Sequence, residues 1–581
     1  MRKCKPKMAT KKGPLPGQVH PRFFNTNATS HKWALGAIAE LIDNSYDPDV
    51  RATRLAIDMI DMKGKLCLTF KDDGAGMDKE GLTKMLSFGF CTKEKYNQHN
   101  AYEPIGQYGN GFKSGSMRLG KDALVITRCR DSASIGFLSQ TYLENINAET
   151  IEVPIINYKL PQLQRLGGAE SKRSLDTILQ YAPFDKEDEL KNEIRALEVS
   201  LTTTGTKIIL YNLEMLRNGQ TELDFSSDPT DIRCPETHLT GKKNPDNRPI
   251  EQNSSKYKHS LREYCSILYF HPRMKIRIRG QDVKPKFIAR SLSQTKNFFY
   301  KPNGQRKTDG KSTDNVVDNN PTVVITLGYT CEEGPSKDYG MMLYHRNRLI
   351  TAYEKVGCQK QNTGRGVDVV GVAKVDMLTP THNKQDFMRD DKYNSVIAAL
   401  GIKLNLYLKD VEEGEGINKQ LPDWLWVQCD QCSKWRRLPK GTDKNSLPNL
   451  WYCHLNPYNS HNRCKTAEEP DHEDIGKAKG KVLNKEGTVS QATPEEIMTL
   501  PRSIHLIPTH TAARNILNKR PENVDMPEEI MTLPRSIHLI PTQTATRNIL
   551  NKRQEKMSAP NVVAASSSLP DVSTPNTVGE R

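Results

Sequence analysis

Glu40-Leu-Ile-Asp-Asn44, Asp72-Asp-Gly-Ala-Gly76 and Gly106-Gln-Tyr-Gly-Asn-Gly-Phe-Lys-Ser-Gly115 follow one another near the start of the chain. Glu40 and Asn44 stand one turn apart, so on a helix they share a face. A carboxylate so placed can take a proton from an attacking water, and a carboxamide oxygen is a hard ligand suited to Mg²⁺. Asp72 follows an apolar strand, Leu66–Phe70, and precedes Gly74 and Gly76. A buried carboxylate there can accept from an adenine amino group, with glycine letting the backbone approach the base. In the third stretch, glycines surround Lys113 and Ser114, and their backbone N–H groups can cradle a polyphosphate where Ser114–Leu119 opens a helix. Each stretch alone also has a plainer reading: a polar helix face, an Asp-Gly turn, a pliant loop. Two common phosphate fingerprints are excluded. A Walker loop needs lysine where Phe112 stands, and the dinucleotide fingerprint needs glycine where Ser114 stands.

Outward from these stretches, Ser30 reads as the N-cap of a helix from about Ser30 to Tyr46, with Leu35, Ile38, Leu41 and Ile42 as its apolar stripe. Strands are predicted at Ala123–Arg128 and Thr206–Tyr211. A second α/β block over about Ser260–Lys409 carries strands at Met274–Arg279, Thr322–Leu327 and Gly340–Tyr344. Gly241–Lys258 and Lys301–Asn320 read as polar surface loops. The 581 residues exceed one hydrophobic core, and 36% hydrophobic content predicts a partly disordered chain. The net charge of +15 favours polyanionic partners such as nucleic acid. No apolar run reaches bilayer length, and the basic N-terminus lacks the apolar core of a secretory signal.

Of the 12 cysteines, eight are scattered singly, as reduced thiols are. Cys429, Cys432, Cys453 and Cys464 crowd together, and four soft ligands with no open position describe a structural Zn²⁺ site. Trp424, Trp426, Trp435 and Trp451 share that stretch, more indoles than so small a core needs. Exposed ones can cage a quaternary ammonium by cation–π attraction. Beyond Glu469 the chain turns Lys-, Pro- and Ser-rich and reads as disordered. There Pro494–Arg520 returns as Pro527–Arg553 with two substitutions, too few copies for a solenoid.

The ordered set of stretches resembles the GHKL ATPase superfamily of DNA gyrase, ninety-kilodalton heat-shock chaperones, MutL and histidine kinases. Gly205-Thr206 matches that superfamily's fourth motif. The resemblance implies Glu40 as general base and Asn44 as the Mg²⁺ ligand. Asp72 would anchor adenine, with Gly76, Met77 and Thr206 in the nucleotide-binding set. Gly106, Gly109, Asn110, Gly111, Phe112, Lys113, Ser114 and Gly115 would form the lid over the triphosphate. The second block resembles a gyrase or MutL transducer, whose lysine to the γ-phosphate matches Lys384 in His382-Asn-Lys384-Gln-Asp-Phe387. The Cys/Trp stretch resembles the CW-type zinc finger, a reader of methylated lysine on the histone H3 tail. Trp426 and Trp435 match its cage, Trp451 its buried position, and Trp424 is a candidate third wall.

The domain order, with Met85–Phe90, Leu138–Tyr142 and Tyr344–Leu349, resembles the microrchidia (MORC) family over roughly residues 20–470. The implied class is α+β: a GHKL (Bergerat) ATPase α/β sandwich, a ribosomal S5-like transducer, a zinc-bound CW finger and a disordered tail. The expected divisions are a basic arm 1–20, ATPase domain 21–225, transducer 226–412, finger 420–472 and tail 473–581. The family implies a nuclear, chromatin-associated ATPase that binds Mg-ATP, forms an ATP-dependent homodimer and holds DNA without sequence preference. The alternative is a histone-reading scaffold with a degenerate or very slow ATPase. Relatives usually carry a C-terminal coiled coil. No sustained heptads follow Glu469, so ATP is expected to be the main dimerisation switch.

Overall fold

The stripe of Leu35, Ile38, Leu41 and Ile42 folds into a helix buried on almost every side, α2 (Ala34–Tyr46), which follows the short α1 (Phe23–Ala28). It begins later than Ser30. The Ser30 hydroxyl bonds back to the Asn27 carbonyl at 2.7 Å, closing the turn after α1, so Ser30 does not cap α2. The computed structural model describes residues 19–90, 104–106, 108–198, 203–235, 255–302, 322–331, 338–361, 363–414, 425–432, 434–439, 442–443, 446–448 and 450–468. All belong to one unit, Met1–Glu486. Trp424, the tail with its repeat, and most of the basic arm and the two polar stretches lie outside these residues.

Among the described residues, nine strands form one sheet. They are β1 (Arg54–Met62), β2 (Lys65–Asp72), β3 (Gly120–Arg128), β4 (Ser132–Ser139), β5 (Ile155–Lys159), β6 (Gln164–Leu166), β7 (Gly205–Leu213), β8 (Lys275–Ile278) and β9 (Gln281–Asp282). Their order is β6-β5-β4-β3-β7-β2-β1-β8-β9. The central strands β3, β7 and β2 are buried on both faces through their middles, which therefore read as apolar runs instead of alternating patterns. α2 packs with α4 (Gly111–Leu119) in the layer over this sheet, and α3 (Lys79–Leu86) lies beside β4. α4 starts three residues before the predicted Ser114, so the glycine stretch supplies its first turn. The strand read at Met274–Arg279 as part of the second block is β8, which pairs in parallel with β1 and extends the first sheet.

The second sheet has the order β10-β11-β14-β12-β13, from β10 (Ser293–Tyr300), β11 (Val323–Tyr329), β12 (Gly340–His345), β13 (Arg348–Glu354) and β14 (Val369–Lys374). The long helix Asp391–Glu412 buries Tyr393, Val396, Leu400, Leu404 and Tyr407 against it. β12 and β13 are joined by Arg346 and Asn347, both at positive φ (47° and 74°), the two-residue turn whose twist suits a hairpin. The finger is a small antiparallel pair, β15 (Leu425–Gln428) and β16 (Trp435–Leu438), with Leu438, Trp451, Cys429 and Cys453 as its core.

Candidate functional sites

A cavity of about 400 Å³ opens between α2, the ends of β2 and β7, and the glycine stretch. That volume lies in the range of small-ligand pockets. Every nucleotide-site residue predicted from the sequence lines it except Gly115. Gly115 sits one turn into α4, where a Cβ would stand 2.8 Å from the Ala37 carbonyl. Its missing side chain lets α4 press on α2, so its place is in the packing behind the cavity.

Glu40 and Asn44 reach the cavity from one face of α2, as the spacing required. Across from them stands Lys384, from the second block, at positive φ (51°) in the loop before the long helix. Its ammonium lies 2.6 Å from Glu40 Oε2 and 3.5 Å from Asp43 Oδ2, and all three groups are buried. Burial raises the Glu40 pKa although the ammonium of Lys384 opposes it. For Lys384, burial works against the charge, but Glu40 and Asp43 outweigh it and hold the pKa above the ordinary value. Glu40 Oε1, Asn44 Nδ2 and Asn110 Oδ1 are buried and have no partner among the described residues. Three orphaned polar atoms among the lining residues, two from α2 and one from the glycine stretch, mark a place for a polar ligand.

Asp72, at the far end, is nine-tenths or more buried, which pushes its carboxyl up to about 6. Ser45 Oγ donates to Oδ2 at 3.0 Å and Gly74 N to Oδ1 at 2.9 Å, fixing the group in the cavity wall. Gly76 has φ of 68°, and a Cβ there would strike the Arg128 carbonyl, so only glycine lets this turn close on β3. Met77 N donates to Thr127 Oγ1, which in turn meets Thr206 Oγ1 at 3.1 Å. Lys113, expected in the lid stretch, lines the cavity, and its side chain ties that stretch down. Its ammonium donates to the carbonyls of Met85 (2.9 Å), Ser87 (2.6 Å) and Gly109, tying the end of α3 to the glycine stretch.

Several residues escaped sequence reasoning. Asp47, fully buried at the end of α2, accepts from the N–H groups of Ile105 (2.7 Å) and Gly106 (3.1 Å) and so holds the root of the glycine stretch. His31 meets Ser114 Oγ at 3.0 Å and the Gln385 amide at 3.4 Å; burial lowers its pKa to about 4 and keeps it neutral. Arg348, also buried, faces Asp43. The only available signal was position: Asp43 and Asp47 in or beside the first stretch, Arg348 within Tyr344–Leu349.

In the finger, the sulfurs of Cys429, Cys432, Cys453 and Cys464 all lie within 4.8 Å of one another. Two of the separations are 3.9 and 3.6 Å. Tetrahedral zinc with sulfur at about 2.3 Å sets neighbouring sulfurs about 3.8 Å apart, so the cluster fits that ion. His454 lies outside the cluster and stacks on Tyr452. Trp451 is buried, as expected, and its backbone N–H donates to Asp430 Oδ2 at 2.8 Å. Trp426 and Trp435 are half-buried against the body of the molecule. The Arg290 guanidinium lies 3.9 Å from the Trp426 ring and 4.2 Å from Phe287, while Trp435 meets Phe287 at 6.1 Å. The Arg290–Glu468 pair (3.2 Å) and a bond from Lys275 to the Asp430 carbonyl complete this contact.

Three stretches of the chain match known domain families. Residues 32–170 match the family of histidine kinase-, DNA gyrase B- and HSP90-like ATPases. Residues 259–408 match the Morc6 ribosomal protein S5 domain 2-like family, and 425–470 the CW-type zinc finger. The mouse MORC family CW-type zinc finger protein 3 is 45% identical over 470 residues, 78% of this chain and 47% of that protein. Protein MICRORCHIDIA 7 of Arabidopsis thaliana is 35% identical, over 67% of this chain and 54% of its own length. Human ATPase MORC2 is 28% identical, over 82% and 54%. The chain thus spans about half the length of the curated relatives it matches. Its three matched domains, in this order, make it a member of the microrchidia (MORC) family, with an ATPase domain of the GHKL type, an S5-like transducer and a CW zinc finger.

Proposed function

We propose that the chain hydrolyses Mg-ATP slowly in the α2 cavity, using nucleotide to bring two copies together on chromatin. The observation that carries this reading is the 2.6 Å contact between Lys384 and Glu40 beside three orphaned polar atoms. Glu40, its basicity raised by burial, takes the proton of the attacking water. Lys384 turns from Glu40 to the γ-phosphate, neutralising charge that develops there. Asp72 accepts from the adenine amino group, and the first N–H groups of α4 face the phosphates. Asn44 would hold Mg²⁺ through its carboxamide oxygen, and the metal when bound would neutralise phosphate oxygens. Because Glu40 rests in an ion pair with Lys384, each turnover must first part them, which supports a slow cycle. We assign the ATPase domain to 21–225, the transducer to 226–412 and the finger to 420–472.

The finger, in this reading, takes methylated lysine of the histone H3 tail between Trp426 and Trp435, and basic surface adds DNA affinity weakened by salt. Arg290 covers the Trp426 face, so a peptide must displace it. The location is the nucleus. Sedimentation with and without a non-hydrolysable ATP analogue tests the switch. Glu40→Ala should keep nucleotide and accumulate dimer, and Asn44→Ala should lose nucleotide and stay monomeric. Identical sedimentation of both variants and the parent in every condition refutes the clamp and leaves a scaffold.

A further inference from the structure

The hairpin between β12 and β13 inserts a buried cation beside the catalytic helix. Arg348 Nε lies 3.0 and 3.2 Å from the two carboxylate oxygens of Asp43, and its other nitrogens bond the Leu349 carbonyl and Tyr264 Oη (3.2 Å). Tyr269 donates to Asp43 Oδ1 at 2.9 Å. On the same helix face stand Glu40 and, across from it, Lys384, whose ammonium is 2.6 Å from Glu40 and 3.5 Å from Asp43. Two buried carboxylates therefore meet two buried cations: Arg348 pairs with Asp43, and Lys384 pairs most closely with Glu40 while Asp43 stays within its reach. Buried charges that lack a counter-charge draw whatever opposite charge is in reach. Without Arg348, Asp43 would compete with Glu40, and then with the γ-phosphate, for the single ammonium of Lys384.

We propose that Arg348 is a positioning residue: by neutralising Asp43 it leaves Lys384 available to the γ-phosphate, so that the second domain sets how strongly the site prefers triphosphate to diphosphate. The proposal rests on the nucleotide-site reading above and adds to it a specificity residue that touches no ligand. The hairpin geometry supports it. Asn347, next to Arg348, donates to Tyr46 Oη at 2.6 Å, so the turn is fixed at the end of α2 as well as at Asp43.

The test measures, on the full chain, affinities for Mg-ADP and for a non-hydrolysable ATP analogue, and takes their ratio, with a thermal melt of every variant. Lys384→Met gives the ratio without the γ-phosphate contact. Arg348→Met should cut the parent's preference for the analogue about tenfold, the scale of one charge-assisted contact, toward the Lys384→Met value. Arg348→Lys should retain most of it. In the Asp43→Asn/Arg348→Met pair no carboxylate is left to compete, and the preference should return. This neutral pair decides the matter where Arg348→Met fails to fold. A double variant as indifferent as Lys384→Met overturns the proposal. So does a folded Arg348→Met with lower melting temperature and an unchanged ratio, the signature of a merely structural residue. A parent that binds neither nucleotide refutes the ATP site and this role with it. A preference lost in Lys384→Met but kept in Arg348→Met refutes Arg348 alone.

Discussion

Asp72 shows how one carboxyl group links burial to binding. Its pKa of about 6 exceeds that of an unfolded aspartate because burial disfavours the charge. The group therefore stabilises the fold below the unfolded pKa and loses that contribution as pH rises through about 6, a difference on the order of 3 kcal/mol. In the proposed nucleotide site, adenine needs the opposite state, the ionised acceptor. Adenosine, which has no titrating phosphate, should bind with an affinity that falls about tenfold per pH unit below 6. Calorimetric titration between pH 7 and 5 checks this, and Asp72→Asn should bind weakly and without the slope. Asp72 was legible in the sequence because a strand and two glycines frame it. Ser45, which orients it, was not, since a serine on a helix carries no mark of its partner. The hold of the Lys113 ammonium on three carbonyls was hidden for a related reason: a lysine among glycines does not announce which oxygens it meets.

At the scale of elements, α2 and α4 form the frame on which the cavity depends. Their close approach at Gly115 leaves no room for a methyl group, because the obstacle is the Ala37 backbone carbonyl and not a side chain that can swing away. Gly115→Ala should cost about 1–3 kcal/mol in denaturant unfolding and weaken nucleotide binding by displacing the first turn of α4. Unchanged stability would show that the helices tolerate separation. The stripe on α2 and the apolar runs of β2, β3 and β7 were readable because their periods are local properties. The start of α2 was misread because Ser30 has two possible backbone partners, and the turn after α1 wins it. The placement of β8 could not be read at all. A short strand pattern announces pairing without naming the neighbour, and that neighbour, β1, lies far back in the chain.

Across the whole molecule, the finger and the body share a surface built on the finger's own candidate cage. Arg290 lies on Trp426 as a ligand's cation would. Arg290→Ala should tighten binding of a trimethyl-lysine histone H3 peptide severalfold, since a competing cation–π contact of about 1 kcal/mol is removed. Fluorescence titration of the full chain checks this, and equal affinities would mean that the peptide leaves the Trp426 face untouched. The cysteine spacing made the zinc cluster legible, but contact between distant segments leaves no imprint on either one.

The addition of β8 to β1 bears on how the chain can be divided. A fragment ended near residue 225, where the ATPase reading places a boundary, would strip β8 and β9 from the sheet and bare one side of β1. Its unpaired N–H and C=O groups would form an open edge ready to template strands of other copies. Such a fragment should aggregate on expression, while one carried past Asp282 keeps the edge covered. Light scattering of the two distinguishes them. The smallest self-sufficient piece is therefore expected to be longer than the matched ATPase stretch, because β8, from beyond that stretch, pairs with β1 in the same sheet.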